Sequence, residues 1–310
     1  MRAVILGGTG AIGGATAGRL AGAGWQVAVT GRETAAMPAE LTRAGVTFHP
    51  IDRADTSAIG ALVGAGTDLV VDLVAFCAAQ VRALLPVLSD VGSTVVVSSR
   101  AVYLDPAGRQ VNGDQPPVFT GPVAEDTPTV PPAGEDVDPF TREGYAPAKA
   151  AVEQTALDSG LPVTVLRPAK VHGRWARNAR TRRFVEAMLT GEDRIALAAG
   201  DSVDQLTAAA NTAALIELVA AQPGARILNS ADPDSPPAEQ IVRTIAHHLH
   251  WRGHLELLGP GADPATGANP WHRRHPFVLD TGAARALGYR PVGTALDLLT
   301  AEVDWVRTGR

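Results

Sequence analysis

Tyr145 and Lys149 are the residues of this chain whose types and spacing best suit proton transfer. They stand in the run Tyr145-Ala146-Pro147-Ala148-Lys149, so a helix would place them one turn apart on one face. Pro147 favours the first turn of that helix. A phenol with its ordinary pKa of about 10 is a poor base at neutral pH. We expect the Lys149 ammonium to lower that pKa, so that Tyr145 can exchange a proton with a substrate oxygen.

A third catalytic group should donate a hydrogen bond to the same substrate oxygen. The β-branched run from Thr94 to Val97 is typical of a strand that is buried on both faces. Ser99 follows that strand and is our predicted donor, with Ser98 as the alternative. The sequence therefore predicts a catalytic group of Ser99, Tyr145 and Lys149.

The chain opens with a short apolar run and a glycine-rich turn. In the spacing Gly7-x-x-Gly10-x-x-Gly13, the first glycine permits a sharp strand-to-helix turn. The second lets a pyrophosphate approach the backbone, and the third lets helix and strand pack closely. Phosphates would then meet free N–H groups at the positive end of the helix. We predict a bound dinucleotide that contacts Gly7, Thr9, Gly10, Ala11, Ile12 and Gly13.

The residues after the second predicted strand distinguish the two nicotinamide cofactors. An acid there would hold a ribose 2′-hydroxyl, but the chain has Gly31-Arg32. Arg32 would attract a 2′-phosphate, which favours NADP over NAD; a solvated loop arginine is the other interpretation. Asp52 could accept a hydrogen bond from the adenine amine or cap the next helix. Ala75 and Pro168 complete the predicted cofactor contacts, together with Lys149.

Elements that could position these residues alternate regularly along the chain. Short β-branched runs and alanine-rich helical stretches predict an α/β fold, a Rossmann-type doubly wound parallel sheet with a smaller C-terminal substrate-binding lobe. The predicted strands are 2–6, 26–30, 46–51, 68–74, 93–98, 162–167 and 225–229. We assign 1–169 plus 211–229 to the dinucleotide-binding domain and 170–210 plus 230–310 to the lobe. Residues 104–144, with eight prolines, form either a lid or a solvated surface excursion.

Composition limits the classes of function. The chain has 310 residues, a formal charge of −5 and one cysteine, Cys77. The acidic balance argues against general nucleic-acid binding. No run of about 18 apolar residues is present, and the first residues do not resemble a signal peptide. We expect a cytoplasmic protein with no membrane partner.

The motifs together resemble the extended short-chain dehydrogenase/reductase family, the NAD(P)-dependent epimerase/dehydratase group. The matching pieces are the glycine loop, Tyr145 with Lys149, Ser98-Ser99-Arg100-Ala101-Val102-Tyr103, Leu166-Arg167-Pro168 and Leu287-Gly288-Tyr289-Arg290-Pro291. The resemblance implies that Tyr145 is the proton donor and acceptor, that Lys149 also holds the nicotinamide ribose, and that Ser99 orients the substrate oxygen. It also implies a homodimer that forms through the helix carrying Tyr145.

The chain departs from that family at positions that bear on the substrate. Members that act on nucleotide sugars usually carry an asparagine near Lys170 and an arginine near Asp204, and neither is present. We expect Lys170, His172, Arg174 and Trp271 to contact a small-molecule substrate, which could be anionic. Five arginines between 174 and 183 could bind a phosphate or carboxylate, or form a solvated helix face. No cysteine or carboxylate lies at zinc-like spacing from the histidines between 247 and 254, so no metal site is predicted.

Three functions remain open from the sequence. The first is an NADP-dependent oxidoreductase that interconverts a secondary alcohol and a ketone. The second is a nucleotide-sugar epimerase or dehydratase with tightly bound NAD. The third is a non-catalytic dinucleotide sensor, which the presence of both Tyr145 and Lys149 disfavours.

Overall fold

The computed structural model describes residues 1–259, 261–263 and 266–308. The strands in these residues are β1 (Arg2–Leu6), β2 (Gln26–Gly31), β3 (Thr47–Pro50), β4 (Leu69–Asp72), β5 (Ser93–Val97), β6 (Val163–Pro168), β7 (Lys170–His172), β8 (Arg194–Ala198), β9 (Leu206–Ala208), β10 (Arg226–Ser230) and β11 (His254–Leu258). The helices are α1 (Ala11–Gly22), α2 (Ala39–Arg43), α3 (Thr56–Val63), α4 (Ala78–Leu88), α5 (Arg142–Leu157), α6 (Ala179–Leu189), α7 (Ala209–Ala220), α8 (Ala238–His248), α9 (Gly282–Ala286) and α10 (Ala295–Arg307).

The core of the fold is a seven-stranded parallel sheet in the order β10-β6-β5-β4-β1-β2-β3. Each predicted strand coincides with one of these seven, so the predicted fold class is confirmed. β4, β5 and β6 are buried along their whole length, as their apolar and β-branched residues predict. The chain order reverses between β1 and β4, and a crevice opens at the carboxyl ends of the strands at such a point.

A second hydrophobic core lies outside the sheet. It is formed by α6, α8 and α10 with the parallel pair β8 and β11, and Phe184, Ile241 and Val303 lie at its centre. The other small pair is β7 with β9. β7 follows directly after β6 and leads the chain out of the sheet. Between β11 and α10 the chain returns to the sheet, because Ala284 and Tyr289 pack into the core on which α1 and α7 lie. Residues 230–310 therefore contribute to both bodies.

The excursion 104–144 is fastened to the rest of the fold at several points. Val123 forms a β-bridge with Leu279, and the Glu125 carboxylate accepts the backbone N–H of Asn229 at 2.7 Å. The Asp105 carboxylate accepts three backbone N–H groups of its own loop and pairs with Arg109 at 2.6 Å. Burial alone would raise the pKa of Asp105, but these donors lower it to about 2. Much of the excursion is thus a packed part of the domain.

None of the helices in the described residues is both long and apolar enough to cross a membrane.

Candidate active site

The glycine loop between β1 and α1 has the geometry of a phosphate cradle. Gly7 has a φ of 83°, which favours glycine, and a Cβ on Gly13 would lie 2.6 Å from the Cα of Gly8. These two glycines are required by the protein itself. A Cβ on Gly10 would meet no protein atom within 4 Å. Gly10 is also the N-cap of α1 and supplies no side-chain acceptor, so the site fits a diphosphate that approaches this backbone.

A groove of about 840 Å³ runs from this loop along the carboxyl edge of the sheet. All six predicted loop contacts line it, and so do Arg32 and Asp52. Its size and apolar floor fit a dinucleotide. The predicted contacts Ala75, Pro168 and Lys149 do not line the groove in this structure: Ala75 and Lys149 are buried directly behind its wall, and Pro168 ends β6 inside the fold.

The adenosine end of the groove holds charges of both signs. Arg32 is exposed, and Glu33 beside it lines the same groove. Asp52 accepts the N–H of Ala54 at 2.8 Å, while the cap of α3 is Asp55. The interpretation of Asp52 as a helix cap is therefore wrong, because the cap lies three residues later, at Asp55. Its carboxylate remains at the groove.

Helix α5 presents Tyr145 to Ser99. Thr141 caps the helix by accepting the Gly144 N–H at 3.0 Å, so Tyr145 lies in the first turn. Pro147 lies in the second turn rather than the first, because the cap is farther upstream than the sequence indicated. The Ser99 hydroxyl lies close enough to Tyr145 to oppose, as a hydrogen-bonding neighbour, the rise that burial causes in the pKa of the phenol. Two of the three predicted catalytic side chains are thus neighbours.

Ser98 is used elsewhere. Its hydroxyl donates to the buried Glu153 carboxylate, which also binds Arg167. Because the hydroxyl is held in a buried ion-pair network, Ser98 is not available to a substrate. The structure therefore favours Ser99 over the alternative.

Lys149 is buried behind the wall of the groove. Its Nζ donates to the carbonyl of Ala75 at 2.6 Å and to that of Val97 at 3.0 Å, and it lies 4.8 Å from the centre of the Phe76 ring. Burial lowers the pKa of Lys149 to about 8, against the attraction of Asp72. Two N–H groups of the ammonium thus bind the end of β5 and the loop after β4. The charge also lies over the face of the Phe76 ring.

The pKa of Tyr145 moves opposite to the sequence-based expectation. Burial raises it, and the hydrogen bond with Ser99 opposes the rise. The expected lowering by Lys149 is not found, because that ammonium is directed to the carbonyls of Ala75 and Val97. Tyr145 therefore favours its neutral form more than a free phenol does.

The four predicted substrate contacts are not brought together. Lys170 pairs with the buried Asp204 at 2.5 Å, close to Arg100 and Arg273. His172 is buried and bound to Asp232 at 2.8 Å.

The other two residues predicted to contact the substrate, Arg174 and Trp271, have other partners in the structure. Arg174 pairs with Glu40 of α2 at 2.6 Å, on the outer side of the glycine loop. Trp271 is 2 % exposed and packs on Phe184 in the lobe core, so it cannot line a pocket. Their sequence signals, a charge and an aromatic ring, did not distinguish a binding surface from packing.

Sequence reasoning gave no role to several charged and aromatic residues that line the groove, among them Glu33, Arg53, Phe76 and Phe140. Arg177, which also lines it, belongs to the run of arginines that the sequence analysis singled out. Glu33 and Arg53 each follow a residue that the sequence did identify. Phe140 is 75 % exposed and packs on Phe76, with ring centres 5.1 Å apart. The Pro139-Phe140 pair before a helix cap gave no signal that it would close the end of the groove.

Within the described ranges, no group of three or more histidine, cysteine, aspartate or glutamate side chains is placed to hold a metal ion.

Solved structures show the same fold over the whole chain. The UDP-glucose 4-epimerase of Thermotoga maritima with UDP-glucose has a TM-score of 0.73 at 18% identity and covers 100% of this chain and 99% of its own. The dTDP-glucose 4,6-dehydratase of Bacillus anthracis in complex with NAD has a TM-score of 0.73 at 16% identity, covering 99% and 97%. The dTDP-glucose 4,6-dehydratase of Streptomyces venezuelae with NAD bound has a TM-score of 0.72 at 20% identity, covering 100% and 98%.

At these identities the likeness establishes the fold. None of the curated proteins compared with the chain matches it. The NAD dependent epimerase/dehydratase family matches residues 3–229, which include the glycine loop, Ser99, Tyr145 and Lys149. The chain therefore belongs to the NAD dependent epimerase/dehydratase family of enzymes.

Proposed function

We propose that this protein is an NADP-dependent oxidoreductase that interconverts a ketone and a secondary alcohol on a small anionic substrate. The closeness of Tyr145 to Ser99 carries the proposal, since Ser99 comes two residues after Val97, which lines the dinucleotide groove. The nicotinamide, when bound, supplies or accepts the hydride. Ser99 holds the substrate oxygen, and Tyr145 transfers the proton to or from it.

The protonation state of Tyr145 suits the reduction of a carbonyl. Burial raises its pKa, so the phenol carries the proton that a developing alkoxide needs. The Ser99 hydroxyl accepts the Ala101 N–H at 3.1 Å, which orients its own proton toward Tyr145 or toward a substrate oxygen. The two hydroxyls can therefore bind one oxygen together.

A cluster of cations supports an anionic substrate. Arg100, which follows Ser99, lies with Lys170 and Arg273 around Asp204. Three positive groups surround one carboxylate. Burial would raise the pKa of Asp204, but these cations lower it. The surplus positive charge would favour a substrate with a carboxylate or phosphate group.

Arg32 supports NADP, because its exposed guanidinium lies at the end of β2, where a 2′-phosphate would bind. The second candidate function is a nucleotide-sugar epimerase or dehydratase with tightly held NAD. It is favoured by Glu33, whose carboxylate lines the groove beside Arg32 and could hold a ribose 2′-hydroxyl. The NAD-bound dehydratases of the same fold are consistent with it.

Two experiments test these functions. Denaturing the purified protein and identifying any released dinucleotide separates them, since retained NAD favours the second candidate. Turnover of a panel of ketones, each with and without an acidic group, tests the first. Tyr145→Phe should lower turnover by about 10²-fold or more while the Kd for NADP changes little. Unchanged turnover would refute the role of Tyr145.

A further inference from the structure

Residues 173–178, which we call the bridge segment, connect the lobe to the glycine loop. They leave β7, cross the N-terminal half of α1 and end at Asn178, which caps α6. The Gly173 N–H donates to the buried Glu302 carboxylate of α10 at 2.8 Å. Arg174 pairs with Glu40 of α2 at 2.6 Å. The segment therefore contacts the lobe through Gly173 and the dinucleotide-binding domain through Arg174.

Trp175 fixes the middle of the bridge segment on α1. A Cβ on Gly14 would lie 2.4 Å from Cε3 of Trp175, so glycine at 14 is what lets the indole lie against the helix. Trp175 has a φ of 63°, an uncommon conformation for a tryptophan. This conformation turns the chain so that Ala176 is buried and the following residue faces the groove.

Arg177 reaches the phosphate cradle from this segment. Its Nη2 lies 3.2 Å from the Thr9 hydroxyl, and both residues line the groove. Arg177 is exposed and, unlike Arg174, makes no ion pair with any residue that the structure describes. Its charge therefore adds to that of the free N–H groups at the start of α1, which Gly10 leaves without a side-chain cap.

We propose that Arg177 binds the diphosphate of the dinucleotide from the lobe side, opposite the backbone of the glycine loop. A guanidinium can donate two parallel hydrogen bonds to phosphate oxygens, and charge-assisted bonds of this kind are strong. The bound dinucleotide then joins the bridge segment to the loop. The proposal rests on the dinucleotide of the proposed function but not on the choice between NAD and NADP.

Arg177 and Arg32 have separable roles. Arg32 lies at the end of β2, where a 2′-phosphate would bind, whereas Arg177 contacts Thr9 of the loop. The diphosphate is common to NAD and NADP. Loss of Arg177 should therefore weaken the binding of NAD and of NADP by the same factor, while loss of Arg32 should weaken the binding of NADP alone.

Calorimetric titration with NADP and with NAD tests this assignment. Arg177→Met should raise both Kd values about tenfold, and Arg177→Lys should recover part of the loss because a point charge remains. Arg32→Met should raise the Kd for NADP only. Arg182→Met is the matched control, since this exposed arginine pairs with Glu186 on α6, and both Kd values should stay within twofold. Thermal melting curves that match the wild type would show that each variant is folded.

Kd values of Arg177→Met within twofold of the wild type for both dinucleotides would overturn the assignment. A loss confined to NADP would overturn it as well, because Arg177 would then act on the 2′-phosphate. A wild-type protein that binds neither dinucleotide would instead overturn the proposed function on which the inference rests.

Discussion

Replacing Lys149 by Met should stabilise the folded protein near neutral pH. Lys149 is 3 % exposed, and burial lowers its pKa from 10.5 to about 8. A pKa difference of roughly 2.5 units corresponds to about 3 kcal/mol of unfavourable free energy in the folded state. Methionine removes that cost but leaves the carbonyls of Ala75 and Val97 without this donor, which costs about 1 kcal/mol for each. The expected net gain at pH 7 is about 1 kcal/mol.

The pH dependence is the stronger part of this prediction. Because the pKa of Lys149 is lower in the folded state, its cost is complete below about pH 8. The cost decreases as the pH rises toward the unfolded value of about 10.5. Wild-type stability should therefore increase over this window by about 3 kcal/mol relative to Lys149→Met. Burial also lowers the pKa of Lys170 to about 8. Because Lys170 is present in both proteins, its titration does not contribute to the difference in stability between them.

Urea unfolding of both proteins at half-unit steps from pH 7 to 10 measures the difference. Parallel stability curves across that range would show that Lys149 does not titrate near pH 8 and would refute the reasoning. A variant that loses several kcal/mol at pH 7 would show that the ammonium holds Ala75 and Val97 together more strongly than its burial costs.

Two further substitutions test the packing around the site. Gly14→Ala should destabilise the fold by about 1–3 kcal/mol in urea unfolding, because the added methyl meets the indole of the bridge segment. Gly22→Ala, in the same helix with no neighbour within 4 Å, should be neutral or stabilising by up to about 1 kcal/mol, and equal effects would refute the contact. Glu153→Gln should cost about 3 kcal/mol in the same measurement, because Arg167 would keep a buried charge without its carboxylate. The half-exposed Glu217→Gln should cost under about 1 kcal/mol, and a loss as small for Glu153 would contradict the prediction.

The central strands of the sheet could be predicted from the sequence because they are rich in apolar and β-branched residues. A parallel strand covered by helices on both faces needs apolar side chains at every position. The run Thr94–Val97 shows this pattern, and β5 (Ser93–Val97) is buried throughout. The glycine loop was equally readable, because Gly7 and Gly13 are required by local geometry.

The use of the charged side chains could not be predicted, because it depends on residues far away in the chain. The spacing of Tyr145 and Lys149 showed that they share a helix face. It could not show that carbonyls 74 and 52 residues away take the ammonium, and so the direction of the tyrosine pKa was wrong. Trp271 gave the signal of a pocket residue, but Phe184 and the lobe core enclose it.

Under the proposed function, the surroundings of Tyr145 set the pH dependence of the reaction rather than its direction, because the equilibrium constant fixes the ratio of the two kcat/KM values. Oxidation needs a phenolate that accepts a proton, and burial raises the pKa of Tyr145, which opposes the phenolate. The nearest cation on the same helix is committed to Ala75, Val97 and the face of Phe76. In the proposed reaction, reduction would use the neutral phenol, with Ser99 as a second donor to the same oxygen. Phe76→Leu removes the ring that the Lys149 ammonium faces, so it should shift the pH profile of kcat/KM for both directions together, and profiles that match the wild type would contradict a role of this ammonium in setting the state of Tyr145.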